Sequence, residues 1–309
     1  MVIDDSGKKV LKGVSRSFYL SLCLLPEPMR AAASLGYLLA RTSDTLADSA
    51  ASPLDARREA LDLFRRCIAG QSDFSGWSNP VLNAVSDPSE YRLLSCSQDI
   101  LEWLCKLPEQ EGMLVRDVLG VIISGQSLDL ERFAQASKNA PVSLRDDSEL
   151  EDYAWRVAGC VGCFWTKLGF LTLGEDFSKS SETEMLQQGI AYGKGLQLVN
   201  ILRDVAADLA VGRCYLPVAD PQDSVALTIC HRQWLIRAES WLSEGESYAA
   251  RLSIRRLRAS SILPALLAKK TLSALRDKSW DELQTRIKIP RRVVYGSLAQ
   301  AFITKAVRS

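Results

Sequence analysis

Apolar residues recur at intervals of three and four along most of the chain, and this period predicts helices over 27–48, 55–69, 89–105, 110–133, 148–173, 181–210, 225–257 and 261–277. Breaker-rich stretches such as "ASPLD", "GQSDFSGWSNP", "SKNAPVSL", "GEDFSKSSE" and "PVADPQD" separate them. No segment alternates convincingly with period two. The expected class is therefore all-α, with helices long enough to enclose a deep cavity.

Two of these helices invert the usual surface pattern. In Leu196–Pro217, "LQLVNILRDVAADLAVGRCYLP", apolar residues cover most of the circumference, while Gln197, Asn200, Asp204 and Asp208 follow one another at steps of three and four. Such a helix should be buried, with its polar line facing a wet or ligand-filled cavity, because unpaired carboxylates in a dry core are strongly disfavoured. The same device occurs in "SLGYLLARTSDTLADSA", where Tyr37, Arg41, Asp44 and Asp48 share one face. Spacing alone is weak support. With 21 aspartates in the chain, chance supplies roughly one such pair, and Asp277 with Asp281 in "DKSWD" makes a third, read as a solvated helix end.

Four carboxylates facing one cavity would repel one another and call for a cation. Mg²⁺, with Mn²⁺ as the alternative, takes oxygen ligands and bridges acidic groups to an anionic diphosphate. The nearby Arg41, Arg203 and Arg213 suit phosphate oxygens. Ion pairs within the protein, such as Arg41 with Asp44, are the competing account of the same residues. Phosphate-loop and dinucleotide motifs are absent: "GIAYGKGL" has one residue too few between its glycines, lacks Ser or Thr after Lys194, and lies in a helical pattern.

Composition adds bounds. The 309 residues are 47% hydrophobic and 24% charged, enough for a large core, and without a linker or repeat they are read as one domain. Eight cysteines lie mostly in apolar helical patterns and no secretory signal precedes them, which suggests a reducing cytoplasm and structural thiols, Cys160 and Cys163 included. The lone histidine, His231, is expected on a helix surface. A net charge of +1 argues against a nucleic-acid partner, yet residues 251–309 hold 14 Lys/Arg against 3 Asp/Glu. That excess reads as solvated helix faces, a phosphate-bearing ligand or peripheral contact with an anionic membrane. No apolar run is expected to reach the ~20 residues that span a bilayer.

"SRSFYLSLCLLPEPMR", "YLLARTSDTLAD", "YAWRVAGCVG" and the Leu196–Pro217 segment together resemble, in order and spacing, the squalene and phytoene synthase family. The resemblance implies an isoprenoid-synthase fold in a single helical bundle around a central cavity, Mg²⁺, and head-to-head joining of two farnesyl diphosphates. By that analogy Asp44, Asp48, Asp204, Asp208 and Asn200 hold metal. Ser15, Arg16, Ser17, Gln126, Gln197, Arg203, Arg213 and Tyr215 hold substrate, while Tyr37 and Arg41 join the catalytic positions. Gly159 and Gly162 let an isoprenoid chain pass, although tight helix packing explains them equally well. The DTxxD form at Asp44–Asp48 resembles squalene synthases, and "RIKIPRR" offers Lys288, Arg291 and Arg292 for NADPH phosphates. Tyr37, Tyr153, Phe164 and Trp165 are possible cation stabilisers or plain core. Dehydrosqualene or phytoene synthesis without reduction, and a non-catalytic scaffold role, are the alternatives; two intact DxxxD lines favour an enzyme.

Overall fold

A computed structural model of the protein describes residues 4–15, 18–285 and 290–303, with only the backbone of Arg291 and Tyr295. Arg16, Ser17 and Lys288, expected at the site, lie outside the described residues. The contacts form two compact units, one of Met1–Glu131 with Lys167–Leu173, the other of Arg132–Thr166 with Gly174–Ser309. The chain passes between them within two helices and once at Leu173–Gly174, never through a Pro/Ser/Gly linker.

The first unit contains α1 (Asp5–Ser15), α2 (Phe18–Leu24), α3 (Glu27–Asp48), α4 (Leu54–Ile68), α5 (Asn79–Asn83), α6 (Pro88–Ser95), α7 (Ser97–Cys105) and nearly all of α8 (Glu109–Arg132). Prolines before or within the first turn start α3, α4 and α6, where a fixed φ and a missing N–H cost nothing. The helix expected over 89–105 is two, because Cys96 (φ −94°, ψ 10°) leaves helical geometry while the apolar period runs on through it. Met29, Leu35, Leu38, Leu39 and Leu46 of α3 are fully buried, and α3 packs on α4, α6 and α7. Trp77 closes the unit from a loop, its Nε1 donating to the Leu94 carbonyl and Ser97 Oγ at 3.0 Å, its ring 5.7 Å from Phe64.

The second unit holds β1 (Val142–Ser143), α9 (Asp147–Ala154), a π-helical turn (Trp155–Gly159) leading into α10 (Cys160–Leu173), whose Lys167–Leu173 half belongs to the first unit, α11 (Glu182–Ala210), β2 (Arg213–Cys214), α12 (Ser224–Arg251), α13 (Arg255–Leu275), α14 (Trp280–Leu283) and α15 (Arg291–Ile303). The two-residue strands pair in parallel, Val142 opposite Arg213, and are too short to leave a period-two signal. α11 and α12 form the principal packed pair. Gly212 ends the α11 region at φ 89°, where a side chain would meet the backbone of Ser137, and its amide closes on the Leu209 carbonyl at 2.9 Å. α12 stops at Arg251 rather than 257, because Ser253 N bonds the Phe177 carbonyl at 2.9 Å and Ser178 Oγ takes up that of Arg251. α13 begins six residues before the expected 261 and carries Pro264 in its interior.

The helical run 147–176 corrects the expectation that nothing approaches bilayer-spanning length. It has the length and apolarity for a membrane helix, a signature that core helices also give, and a third of its most apolar window is buried. The glycines, cysteines and aromatics of α10 make it apolar, and Gly162, like Gly159 of the π-helical turn before it, faces α11.

Candidate functional site

The acidic line on α3 sits in an ion-pair network. Arg41 Nη1 bonds Asp44 Oδ2, and its Nη2 bonds Glu90 Oε1 from the first turn of α6. Burial raises the Asp44 carboxyl to about 6, the charge of Asp48 adds to this, and Arg41 opposes it. The Asp44 side chain remains 43% exposed and Asp48 is exposed, so the line is open to solvent. Tyr37 is half-buried; its hydroxyl donates to the Val14 carbonyl at 3.2 Å and its ring stacks on Phe18 at 5.1 Å. Glu90 escaped the sequence reading, since no spacing rule links it to Arg41 across 49 residues.

On α8 of the same unit, Gln126 is buried with its Oε1 lacking a partner. Ser15 is buried and donates to the Leu11 carbonyl of its own helix at 2.5 Å.

The polar line on α11 runs beside buried apolar residues, while Val211 just beyond the helix is exposed. Leu198, Val199, Ile201, Leu202 and Val205 are buried, whereas Asn200 is exposed and Gln197, Asp204 and Asp208 are half-buried. Arg203 Nε donates to Asp204 Oδ1 at 2.9 Å and Nη2 to Oδ2, a two-pronged pair open enough for a ligand to compete for either partner. Asp208 adds its negative field to Arg203, whose pKa is raised first by the Asp204 bond. Arg213 is half-buried on β2.

Tyr215 belongs to an aromatic cluster. It is buried, stacked on Tyr153 at 4.7 Å with their hydroxyls 3.4 Å apart, and met edge-on by Phe133 at 5.2 Å. Phe164 is buried and Trp165 half-buried.

For Gly159 and Gly162 the structure favours packing. A side chain on Gly162 would overlap the Gly189 carbonyl group of α11, and one on Gly159 would stand 3.0 Å from Lys194 Cγ. "GIAYGKGL" is thus a contact strip: Gly193 meets the Ala158 backbone, Gly195 meets Trp241 of α12, and Lys194 Nζ bonds Glu151 at 2.8 Å while lying 4.2 Å over the Trp241 ring.

His231 is not on a helix surface, as expected, but buried on α12 with Nε2 3.0 Å from the Leu202 carbonyl of α11, two residues before Asp204. Burial lowers its pKa. The eight thiols are free. Cys160 donates to the Arg156 carbonyl and burial pushes it up to about 12, consistent with a structural thiol. Among the described residues no three His, Cys, Asp or Glu side chains gather as a metal centre. Arg292 is exposed near the start of α15.

Residues 11–293 match the family model described as squalene/phytoene synthase. A presqualene diphosphate synthase of Zymomonas mobilis subsp. mobilis is 27% identical, over 97% of this chain and 94% of its own. A bifunctional lycopene cyclase/phytoene synthase of Phaeosphaeria nodorum is 29% identical over 69% of this chain, which spans about a third of the length of such bifunctional relatives. A ligand complex of a dehydrosqualene synthase shares the all-α isoprenoid-synthase fold, with a TM-score of 0.65 at 20% identity over 96% of this chain and 93% of that one.

Proposed function

Given that the chain belongs to the squalene/phytoene synthase family of prenyltransferase-type enzymes, we propose that it joins two farnesyl diphosphates head to head through presqualene diphosphate, and that NADPH reduction then yields squalene. The observation that carries the first half is the likeness, along nearly the whole of both chains, to a presqualene diphosphate synthase. The reductive half rests on the DTxxD form of Asp44–Asp48 and on the basic segment at 286–292.

The donor set supports Mg²⁺, or Mn²⁺ in its place. Asp44 and Asp48 lie one helical turn apart, and their mutual repulsion helps hold Asp44 near 6, a strain that a hard divalent cation relieves. Two carboxylates suit a cation that completes its shell with water and phosphate oxygens. Asp204, Asp208 and Asn200 are the corresponding groups on α11. When bound, the metal would neutralise charge on a departing diphosphate.

The chain's own residues would do the rest. Arg41 in the first unit and Arg203 in the second can each exchange a carboxylate partner for phosphate oxygens without losing charge-assisted bonds, and Arg213 is a further guanidinium of the second unit. Once the diphosphate leaves, an allylic cation must survive until the second alkene attacks it. Apolar walls that exclude water and aromatic faces serve this end, with Tyr37 and Trp165, both half-buried, the more accessible of the aromatic candidates.

A second reading follows from the same relative: the reaction ends at presqualene diphosphate, or proceeds to dehydrosqualene by proton loss, without a hydride donor. Incubation with farnesyl diphosphate, Mg²⁺ and deuterated NADPH, followed by mass spectrometry, separates these outcomes. One deuterium in a C30 hydrocarbon supports the reductive proposal. Presqualene diphosphate or deuterium-free dehydrosqualene at an undiminished rate refutes the reductive half, and a C40 phytoene refutes the choice of substrate.

A further inference from the structure

The first turn of α13 is Arg255, Arg256, Leu257 and Arg258. A helix N-terminus carries partial positive charge and amides without helical partners, so acidic residues and side-chain caps are favoured there. Here Ile254 offers no capping side chain and the first turn has no acidic residue. Arg255 is exposed, and its Nε and Nη2 donate to the Phe302 carbonyl of α15 at 3.2 and 3.0 Å.

Arg258 is a different case. It is 7% exposed, and its Nε and Nη1 are buried without a hydrogen-bond partner. Among the described residues no carboxylate forms an ion pair with it. Helical side chains lean toward the N-terminus, so Arg258 reaches back over the first turn. Burial lowers its pKa, and the neighbouring charge of Arg255 lowers it further, yet a guanidinium stays charged at any ordinary pH. A desolvated cation beside a second cation, at the positive end of a 21-residue helix, finds no counter-charge among the described residues.

We infer that Arg258, together with Arg255 and the uncapped amides of this turn, binds a phosphate-class anion. A guanidinium fork and the amides of a helix N-terminus are both groups that bind phosphate oxygens. The chemistry is shared by free phosphate or diphosphate and by a phospholipid headgroup. Ile303, 74% exposed, follows in sequence the Phe302 whose carbonyl Arg255 holds. The site lies on a different helix from either acidic line and does not depend on which product the enzyme makes.

Thermal unfolding of the full chain in EDTA and phosphate-free buffer, titrated with inorganic phosphate or pyrophosphate, tests the inference. The wild type should gain at least about 2 °C. Arg258→Met should unfold at a higher temperature than the wild type without anion, since it removes an uncompensated buried charge, and should lose the anion-dependent gain. If that variant fails to fold, Arg258→Lys decides, because it keeps the charge without the fork and should show less than half the wild-type shift. Flotation with phosphatidic acid vesicles against neutral phosphatidylcholine vesicles distinguishes the sources. Arg258-dependent recruitment to the acidic vesicles identifies a headgroup, and an anion-induced shift without recruitment identifies a free phosphate. A wild type indifferent to phosphate, pyrophosphate and vesicles overturns the site, as does an equal response in the Arg258 variants.

Discussion

Replacing Gly162 by alanine isolates the contact that sets the spacing of α10 and α11. The added methyl would overlap the Gly189 carbonyl group and stand 3.1 Å from the Ile190 amide nitrogen. Carbon atoms are comfortable at roughly 3.5 Å or more, so the helices must part by more than about 1 Å or bend. Overpacking typically costs about 1–3 kcal/mol, and the upper end applies because the obstacle is backbone, which cannot rotate away. Alanine recovers about 1 kcal/mol of helix propensity, leaving a net loss of about 2 kcal/mol. For a chain of 309 residues that is a fall in Tm of roughly 3 °C. Gly120→Ala on α8 is the control: nothing lies within 4 Å of its added methyl, so it should leave Tm unchanged or raise it. Scanning calorimetry on both variants gives the comparison. Because α11 carries Asp204 and Asp208, Gly162→Ala should also lower turnover, an ångström of misplacement being worth up to about 100-fold. A Gly162→Ala protein as stable as the wild type would refute the packing account and return the glycine to the role of clearing a path for substrate.

Asp44→Asn and Asp204→Asn should each cut turnover of farnesyl diphosphate at least about 100-fold with unchanged circular dichroism, and near-normal product formation in both would sink the metal proposal. Asp44→Asn should also stabilise the metal-free protein with a defined pH dependence. The fold raises this carboxyl from 3.8 to about 6, so its ionisation weakens the folded state by an amount that is absent below pH 3.8 and complete above about pH 6. With 43% of the side chain open to solvent, the gain at neutral pH should be nearer about 1 than the roughly 3 kcal/mol that a fully buried group would imply. A difference between variant and wild type that is constant from pH 4 to 7 contradicts this. His231 acts in the opposite sense: its fold-lowered pKa contributes stability that is complete above 6.5 and lost as pH falls below that value. His231→Gln, which keeps an N–H for the Leu202 carbonyl, should flatten this acid limb, and an unaltered limb would refute the assignment.

The two acidic lines were legible because each is anomalous against its own neighbours: a carboxylate every turn within a helix otherwise apolar can be recognised from twenty consecutive residues. The same local logic placed α3 at its observed ends, with a proline start and a Ser-Ala-Ala-Ser break beyond Asp48. It fails at Cys96, where two helices share one apolar period, and at Leu252, where a bridge to Ser178 ends α12 although the pattern continues.

Other assignments depended on partners remote in the chain. Tyr215 is a residue type that contacts phosphates readily, yet its ring lies among Phe133 and Tyr153. His231 differs in no local feature from a surface histidine, and the Leu202 carbonyl that it meets is 29 positions away. Glycine in a helix is ambiguous by nature, because a missing side chain records only that something comes close. Periodicity and polarity are properties of a segment, so the chain alone specifies its helices and their polar faces. Whether a given polar atom is spent or available, and whether a glycine faces backbone or open space, is decided by which segments the fold brings together.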